Sequence, residues 1–357
     1  MSPLALDSYR LLGRSGLRVS PLSLGTMTFG TDWGWGADEQ EARRIFHAYL
    51  EQGGNFIDTA SQYTNGASEQ FVGRFANSRR DTLVIATKYT MALRDRDPNS
   101  GGNHRKSMMQ SVDRSLRQLS TGYIDLLYLH FWDSTTHVDE ILRAMDDLVR
   151  SGKVLYLGIS DTPAWQISRM QTLADLRGWS PLIALQIEYN LIERSGEHEL
   201  IPMARELGLG VIPWGPLAGG VLTGKYHRRD FESGRTDESW SRSRKGAVLA
   251  SGALSERGLR IAEVVKEIAA ELGKPPPQVA LAWVLQNPAV VSPLIGARSM
   301  RQFRENIAAL AVSLTSDQQL RLNQASESPA GFPHEFLARM VRLGFMSEGL
   351  ALKRRAL

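Results

Sequence analysis

The chain has 357 residues, of which 42% are hydrophobic and 22% are charged, and this composition is typical of a globular protein with one large core or two modest ones. Its 42 basic and 38 acidic residues give a formal net charge of +4, and because the basic residues are scattered we expect no nucleic-acid partner. Cysteine is absent, which excludes disulfides, thiolate metal sites and cysteine nucleophiles, and no metal site is expected.

The sequence shows no secretory signal at its N-terminus. Residues 1–10 lack a basic start followed by an apolar run. No later segment approaches the run of at least about 18 apolar residues that a membrane span needs. We therefore expect a cytoplasmic protein with no membrane partner, either a monomer or a homo-oligomer.

Short runs of β-branched or apolar residues recur along the chain, and each is typical of a fully buried strand. These runs lie at residues 22–24, 56–57, 83–86, 126–129, 154–159, 183–187, 211–212 and 291–295. Between them, apolar residues recur at helical spacing, at residues 42–49, 109–119, 138–148 and 261–272. Strand and helix thus alternate at about 30 residues per unit, and the number of strands is that needed to close a barrel. The pattern predicts an α/β fold, a (β/α)8 TIM barrel.

An open, doubly wound sheet is the competing fold. Such a sheet usually carries a G-x-G-x-x-G fingerprint after its first strand, and this chain has none there. The barrel is therefore preferred, as a single domain over residues 1–357 with a core at about residues 9–310.

Four segments lie outside the strand–helix alternation. Residues 9–21 predict an N-terminal hairpin that could cap the barrel floor, and the polar residues 89–103 predict a mobile loop. Residues 215–254 are long for a barrel loop and rich in glycine, which indicates a functional excursion at the C-terminal face. The tail, residues 311–357, contains aromatic residues and methionines, so we expect it to pack on the barrel or the pocket.

Polar residues end successive predicted strands, which is where the reactive groups of a TIM barrel lie. Asp58 ends the second strand and Tyr63 follows in the next loop, while Lys88 and His130 end the third and fourth strands. Taken singly, each has a structural interpretation: a helix cap, a loop aromatic, a surface cation and a core histidine. Together they would all point into one mouth, where a buried Lys88 needs a partner such as Asp58.

These four side chains suit acid catalysis of carbonyl reduction. A tyrosine has an ordinary pKa of about 10, so a neighbouring ammonium would ease the loss of its proton. Lys88 would supply that charge, and Asp58 would hold Lys88 charged and in place. His130 would hydrogen-bond the substrate oxygen and orient it.

On these residues the chain resembles the aldo-keto reductase superfamily, from the Gly13 hairpin to about Asn306, and within it a bacterial, aryl-alcohol-dehydrogenase-like branch. The resemblance implies reversible, NADPH-dependent reduction of an aldehyde or ketone, with hydride from nicotinamide and a proton from Tyr63. NADH remains an alternative cofactor.

The resemblance also implies a set of cofactor contacts at the ends of the other strands. Trp214 would stack on the nicotinamide, and the glycines after it would let backbone amides approach the pyrophosphate. Besides Asp58, the implied contacts are Gly25, Thr26, Met27, Ser160, Asp161, Gln186, Trp214, Gly215, Pro216, Leu217, Gly219, Gly224, Lys225, Gly296, Ala297, Arg298, Gln302, Glu305 and Asn306.

The chain departs from the family pattern at two places. Asp161 stands where asparagine is usual, and its carboxylate can accept a hydrogen bond from the carboxamide but cannot donate one. Gly296-Ala297 stands where Lys-Ser is common, and Gln302 where arginine is common. Arg298 is then the main candidate to bind the 2′-phosphate of NADPH.

Aromatic residues near the predicted strand ends suggest a substrate pocket for apolar or ring-bearing carbonyls or alcohols, xenobiotics included. The alternative is that these rings only pack the barrel rim. The expected pocket residues are Trp33, Trp35, Tyr63, Tyr89, His130, Phe131 and Trp132.

Two other functions fit parts of the pattern. A desolvated Lys88 could act as the Schiff-base nucleophile of an aldolase, although a tight pair with Asp58 would keep its amine protonated. Some members of the family are cofactor-sensing regulatory subunits without catalysis, and the four polar residues do not exclude that role.

Overall fold

A barrel of parallel strands forms the centre of the protein, which the computed structural model describes over residues 4–230 and 244–345. Two further strands form a hairpin outside the barrel. The hairpin strands are β1 (Arg10–Leu11) and β2 (Arg18–Val19), and the barrel strands are β3 (Ser23–Gly25), β4 (Phe56–Asp58), β5 (Val84–Tyr89), β6 (Ile124–Leu129), β7 (Val154–Ser160), β8 (Leu182–Glu188), β9 (Gly210–Trp214) and β10 (Leu294–Gly296).

The eight barrel strands are hydrogen-bonded in the order β10-β3-β4-β5-β6-β7-β8-β9, and every ladder is parallel. The predicted (β/α)8 barrel is thereby confirmed. At the seam, β9 meets the chain before β10 through a bridge of Val211 with Val290. The last strand begins later than predicted: Val291 donates to the Val211 oxygen at the seam, and Pro293 has no N–H for a ladder. The barrel is nearly closed.

Helices flank the barrel, and the four helical patterns found in the sequence fall in α1, α3, α4 and α8. In α4 the apolar residues lie on one buried face, acidic residues occupy its first turn and Arg150 its last turn, which suits the helix dipole. The helices are α1 (Glu39–Glu51), α2 (Ala67–Ala76), α3 (Arg105–Gln118), α4 (Val138–Arg150), α5 (Ala164–Arg177), α6 (Leu200–Leu207), α7 (Arg244–Ala250), α8 (Glu256–Leu272), α9 (Pro276–Leu285), α10 (Met300–Ile307), α11 (Ser316–Ala325) and α12 (His334–Arg342).

The barrel interior changes from apolar to polar toward the carboxyl ends of the strands. Because side chains two residues apart share one face of a strand, each strand contributes a layered series to the interior. Apolar residues of the series form one buried cluster. The inward series are Phe56 and Asp58 on β4, Ala86 and Lys88 on β5, Leu126 and Tyr128 on β6, Ala184, Gln186 and Glu188 on β8, and Ile212 and Trp214 on β9. The last inward residues of β4, β5, β8 and β9 therefore meet at one mouth, while Tyr128 of β6 belongs to the buried cluster below it.

The predicted N-terminal hairpin closes the opposite end of the barrel. Leu12 and Val19 are completely buried in the interior cluster, and Arg10 Nη1 donates to the backbone oxygens of Val290 and Val291. Gly13 has φ +56°, and a Cβ there would lie 2.2 Å from the Ile183 oxygen. Only glycine fits this turn, because a side chain would be strained and would clash.

The C-terminal region lies against the barrel as far as Ala325. Leu322 of α11 is fully buried, and Arg321 pairs with Glu271 of α8 at 2.6 Å. The next helix, α12, has no buried residue, and Phe332 before it is 86% exposed. Parts of the predicted loop 215–254 and of the tail 311–357 lie outside the described residues. Within residues 4–230 and 244–345, no helix has the length and apolar character needed to cross a bilayer.

Gly158 should be sensitive to any side chain. A Cβ at this position of β7 would lie 2.4 Å from the ring of Tyr128, which fills the interior below the polar layer. We expect Gly158→Ala to lower the free energy of unfolding by about 1–3 kcal/mol through overpacking. Urea denaturation followed by circular dichroism measures this. Gly122→Ala is the matched control, because no atom lies within 4 Å of its Cβ, and its effect should stay within about 0.5 kcal/mol. Equal stability of the two variants would contradict the overpacking argument.

Candidate active site

A buried ion pair lies at the centre of the barrel mouth. Lys88 Nζ is 2.5 Å from Asp58 Oδ1 and donates a second hydrogen bond to the Thr59 oxygen at 2.9 Å. The two side chains are 0% and 2% exposed. Burial by itself lowers the pKa of Lys88, but Asp58 and Tyr63 outweigh it and raise that pKa above its ordinary value. The lysine is therefore an ammonium at neutral pH.

Gln186 holds the second oxygen of the same carboxylate. Its Nε2 donates to Asp58 Oδ2 at 2.9 Å, across the interior from β8. Asp58 thus has a separate partner for each oxygen, and both partners are buried. The resemblance assigns Gln186 to the cofactor, and in this structure its amide nitrogen positions the ion pair.

Tyr63 lies beside this ion pair. It begins a short 3-10 turn, Tyr63–Gly66, in which Thr64 and Asn65 have φ of +48° and +57°, and the Thr64 hydroxyl fixes the turn by donating to the Phe29 oxygen at 2.7 Å. Lys88 Nζ is 4.9 Å from the centre of the Tyr63 ring. Burial raises the pKa of Tyr63, while the Lys88 ammonium acts in the opposite direction. The phenol is thus protonated at neutral pH with a cation next to it.

His130 completes the group. Its ring centre is 5.8 Å from that of Tyr63, in an edge-to-face arrangement. Burial and the charge of Lys88 lower the pKa of His130 to about 3, so the imidazole is neutral. Its Nδ1 is buried and has no hydrogen-bond partner among the described residues. The structure therefore brings together all four side chains predicted to be catalytic.

Aromatic rings extend from both sides of Tyr63. Trp33 lies 6.3 Å from the Tyr63 ring and 5.8 Å from Trp35, and Phe131 lies 5.5 Å from the His130 ring. Phe131 is 42% exposed. We call Trp35, Trp33, Tyr63, His130 and Phe131 the aromatic wall. Its members contact each other in a continuous row at the mouth.

The aromatic wall does not include every ring assigned to the pocket. Tyr89 is completely buried, packs in the core between barrel and helices, and donates to the Asn103 oxygen at 3.3 Å. Because Lys88 points into the barrel, its neighbour in β5 must point outward, and Tyr89 is therefore corrected to a core residue. Trp132 packs partly against the same core.

Trp214 is fixed at the mouth by Asp161. The indole Nε1 donates to Asp161 Oδ1 at 3.0 Å, and Asp161 has φ +40°, a left-handed conformation that aspartate tolerates better than most residues. Next to it, the Ser160 hydroxyl is buried and has no hydrogen-bond partner among the described residues. The carboxyl ends of β7 and β9 thus present an indole plane and an unused hydroxyl side by side.

The chain after Trp214 forms a tight glycine-rich turn. Gly215, Ala218, Gly219, Gly220 and Gly224 all have positive φ. Successive left-handed residues turn backbone N–H groups toward one point and form concave anion-binding sites. The Asn190 amide anchors the start of the turn by donating to the Gly215 oxygen at 3.0 Å. Of the other residues assigned here, Pro216 is buried, Leu217 is partly buried and Lys225 is exposed.

The residues assigned to the adenosine end surround the start of α10. Ser299 caps this helix, and the Gln302 side chain folds back to accept from the Arg298 N–H at 2.9 Å. Asn306 donates to the Gly296 oxygen at 3.1 Å. Within the described part of the chain, the Arg298 guanidinium forms no ion pair. Ala297 is buried, and Glu305 pairs with Arg301 at 2.8 Å.

Thr26 supports the active site from behind. It is fully buried, and its hydroxyl donates to the Asp58 backbone oxygen at 2.9 Å and lies 2.8 Å from the Ser68 hydroxyl. Its side chain thus holds the end of β4. The flanking residues Gly25 and Met27, also assigned to the cofactor, are partly exposed.

The sequence matches the model of the Aldo/keto reductase family over residues 21–327. The chain belongs to the aldo/keto reductase family. Together with the reductase and dehydrogenase names of its relatives, this membership identifies the chain as an oxidoreductase of carbonyl compounds.

Curated relatives cover most of this aldo/keto reductase. Norsolorinic acid reductase of Aspergillus flavus is 37% identical over 346 residues, covering 94% of this chain and 85% of that protein. An aryl-alcohol dehydrogenase of Phanerodontia chrysosporium, whose name specifies NADP(+), is 36% identical over 348 residues, with 93% and 89% covered. The oxidoreductase YrpG of Bacillus subtilis is 38% identical over 335 residues, with 90% and 97% covered.

Two residues at the mouth of this aldo/keto reductase were missed in the sequence. Glu188 ends β8, and burial raises its pKa to about 7, with the negative charge of Glu193 acting in the same direction. Asn190 follows and anchors Gly215. The alternation rule could have found Glu188, since it is two residues beyond Gln186 on the inward face. No sequence signal pointed to Asn190.

His130 should make unfolding of this aldo/keto reductase more sensitive to acid. The folded pKa of about 3 is below the unfolded value of about 6.5, so the stabilising contribution is complete above pH 6.5 and is lost as the pH falls toward 3. Between pH 6 and 4 we expect the free energy of unfolding to fall by about 2–3 kcal/mol more in the native chain than in His130→Gln. Urea titrations at both pH values test this. An equal fall of the free energy of unfolding in the two proteins would refute the assigned effect of burial on His130.

Proposed function

We propose that this protein is an NADPH-dependent oxidoreductase that reversibly reduces aldehydes or ketones, with Tyr63 as proton donor. The observation that carries the proposal is the buried Lys88–Asp58 pair, 2.5 Å long, lying directly beside Tyr63. The Lys88 ammonium of this pair places a positive charge next to a phenol that burial keeps protonated.

The residues at the ends of β7, β9 and β10 fit a nicotinamide dinucleotide. The unpaired Ser160 hydroxyl and the Trp214 indole suit a carboxamide and a flat ring, and the glycine-rich turn after Trp214 suits a pyrophosphate. Arg298, which has no ion-pair partner in the described parts of the chain, suits a 2′-phosphate and so favours NADPH over NADH. The name of the Phanerodontia relative points to the same cofactor.

The reaction divides between the cofactor and the four side chains. The cofactor, when bound, would supply the hydride that the carbonyl carbon accepts. As negative charge develops on the carbonyl oxygen, the Tyr63 hydroxyl donates its proton to that oxygen, and the Lys88 ammonium stabilises the phenolate that remains. Asp58, fixed by Gln186, keeps Lys88 protonated and in place. Neutral His130 can hydrogen-bond the substrate oxygen without adding a charge.

The aromatic wall indicates the class of substrate. Flat rings stack or meet edge to face with aromatic side chains, and the wall presents five such side chains at the mouth. We therefore propose ring-bearing carbonyls and the corresponding alcohols as substrates. The Phanerodontia relative is named for aryl alcohols.

Tyr63→Phe tests the proton donor. Removing the hydroxyl should leave NADPH binding unchanged and lower turnover of an aryl aldehyde by about 100-fold to 10,000-fold, because the alkoxide then lacks its acid. Titration of protein fluorescence gives the binding constant, and loss of NADPH absorbance gives the rate.

A second experiment tests whether Lys88 forms a Schiff base with the substrate. Borohydride reduction with substrate should trap no covalent adduct, since the ammonium paired with Asp58 is not a nucleophile; a trapped adduct would favour the aldolase. Tight NADPH binding with no turnover of any aldehyde, ketone or quinone would favour a cofactor-sensing regulatory subunit.

Trp33→Ala tests the substrate class. Trp33 contacts the Tyr63 ring, so its loss should lower kcat/KM for benzaldehyde by about tenfold while leaving propanal nearly unaffected. Tyr9→Ala is the matched control, because Tyr9 is an exposed aromatic residue just before the hairpin at the opposite end of the barrel. It should leave kcat/KM unchanged for both aldehydes. An equal loss for both aldehydes would show that Trp33 does not select for rings.

A further inference from the structure

Two carboxylates outside the catalytic group flank Trp214. Asp161 follows β7 directly, and Glu188 is the last residue of β8. In the β8–β9 ladder Glu188 is paired with Trp214. Two acidic side chains thus lie beside Trp214. The proposed function places the nicotinamide at these same strand ends.

Asp161 is fixed with its carboxylate at the edge of the indole. Its Oδ1 accepts from Trp214 Nε1 at 3.0 Å, and its backbone is held on both sides, by Gln186 through the N–H and by Trp132 through the carbonyl. Its charge reaches the catalytic phenol, since Asp161 acts to raise the pKa of Tyr63. The carboxylate therefore faces the same mouth as the reaction.

Glu188 approaches the same place from the barrel interior. Its Oε1 lies 3.8 Å from the position of a Cβ on Gly215, the residue after Trp214. The Asn190 amide, 3.4 Å away, is a weak neutral partner. Burial raises the pKa of Glu188 to about 7, and the negative charges of Glu193 and Asp161 act in the same direction. Glu188 is thus a largely buried carboxyl group with acidic neighbours.

Neither carboxylate has a counter-ion within 4 Å among residues 4–230 and 244–345. The Lys88 ammonium acts on Asp161 only from a greater distance and is already paired with Asp58. A group that gains positive charge beside Trp214 would find two carboxylates that lack a counter-ion. A group that stays neutral there would gain nothing from them.

We propose that Asp161 and Glu188 are electrostatic positioning residues that make the protein bind the oxidised, cationic nicotinamide more tightly than the reduced, neutral one. The inference rests on the proposed function. Hydride transfer converts the neutral dihydronicotinamide ring into a pyridinium cation, while the substrate carbon gains the hydride and its oxygen the proton of Tyr63. Stabilising that cation makes bound NADPH a stronger hydride donor and weakens bound NADP+ as a hydride acceptor.

The test compares dissociation constants for NADP+ and NADPH, measured by calorimetry without substrate. The ratio Kd(NADPH)/Kd(NADP+) should be above one in the native protein. In each of the single variants Asp161→Asn and Glu188→Gln it should fall by about fivefold, chiefly through weaker NADP+ binding. Asp175→Asn, an exposed carboxylate paired with Arg14 of the floor hairpin, is the matched control and should leave the ratio unchanged.

The native protein provides a second readout that needs no variant. With a pKa of about 7, Glu188 is charged at pH 8 and largely neutral at pH 6, so the ratio should be higher at pH 8. The 2′-phosphate titrates equally in both nucleotides and cancels in the ratio. NADP+ binding at pH 7 should also release more protons than NADPH binding, as measured in buffers of different ionisation enthalpy, and Glu188→Gln should abolish the difference.

The outcomes separate the inference from the proposed function. If both nucleotides bind but the ratio stays the same in the two variants and at both pH values, the electrostatic inference is overturned and the proposed function stands. If neither nucleotide binds the folded native protein, the proposed function itself is overturned.

Discussion

The arrangement of the mouth depends on one buried ion pair. An ammonium without a partner would be neutralised in this environment, because burial alone lowers its pKa. Asp58 reverses that effect for Lys88, and Gln186 in turn fixes Asp58 from across the barrel. The charge that results has two visible consequences: it works against the raised pKa of Tyr63 and it helps to keep His130 neutral. A single ion pair thus influences the protonation of both Tyr63 and His130.

The barrel explains how residues distant in sequence reach that pair. Side chains two positions apart share a face, so each strand that fills the interior with an apolar residue places its next inward residue at the mouth. Gln186 and Asp58 are separated by 128 positions, yet their side chains meet. The wall of aromatic rings and the glycine-rich turn lie on loops that extend from the same strand ends. The packed interior of the barrel and the loops that follow its strands therefore meet at one layer.

The barrel and the polar residues at its strand ends could be predicted from the sequence, because burial leaves a recurring pattern of apolar residues. The barrel strands appear as short apolar runs, and a polar residue that ends such a run stands out, as Asp58 and Lys88 do. Side-chain direction was harder to read: Tyr89 follows Lys88 and so faces the helices, where it is core. Hydrogen bonds between distant strands and loops left no local signal in the sequence either. The bonds from Gln186 to Asp58 and from Asn190 to the Gly215 oxygen appear only in the structure.

The Tyr128 ring, seated over Gly158 just below the polar layer, has a consequence for the supply of protons. Leu12 and Val19 close the far end of the barrel and belong to the same buried cluster as Tyr128, so packed apolar side chains fill the barrel on the side opposite the mouth. If Tyr63 donates its proton as proposed, the replacement proton has to enter through the mouth, by the same opening through which the product alcohol leaves.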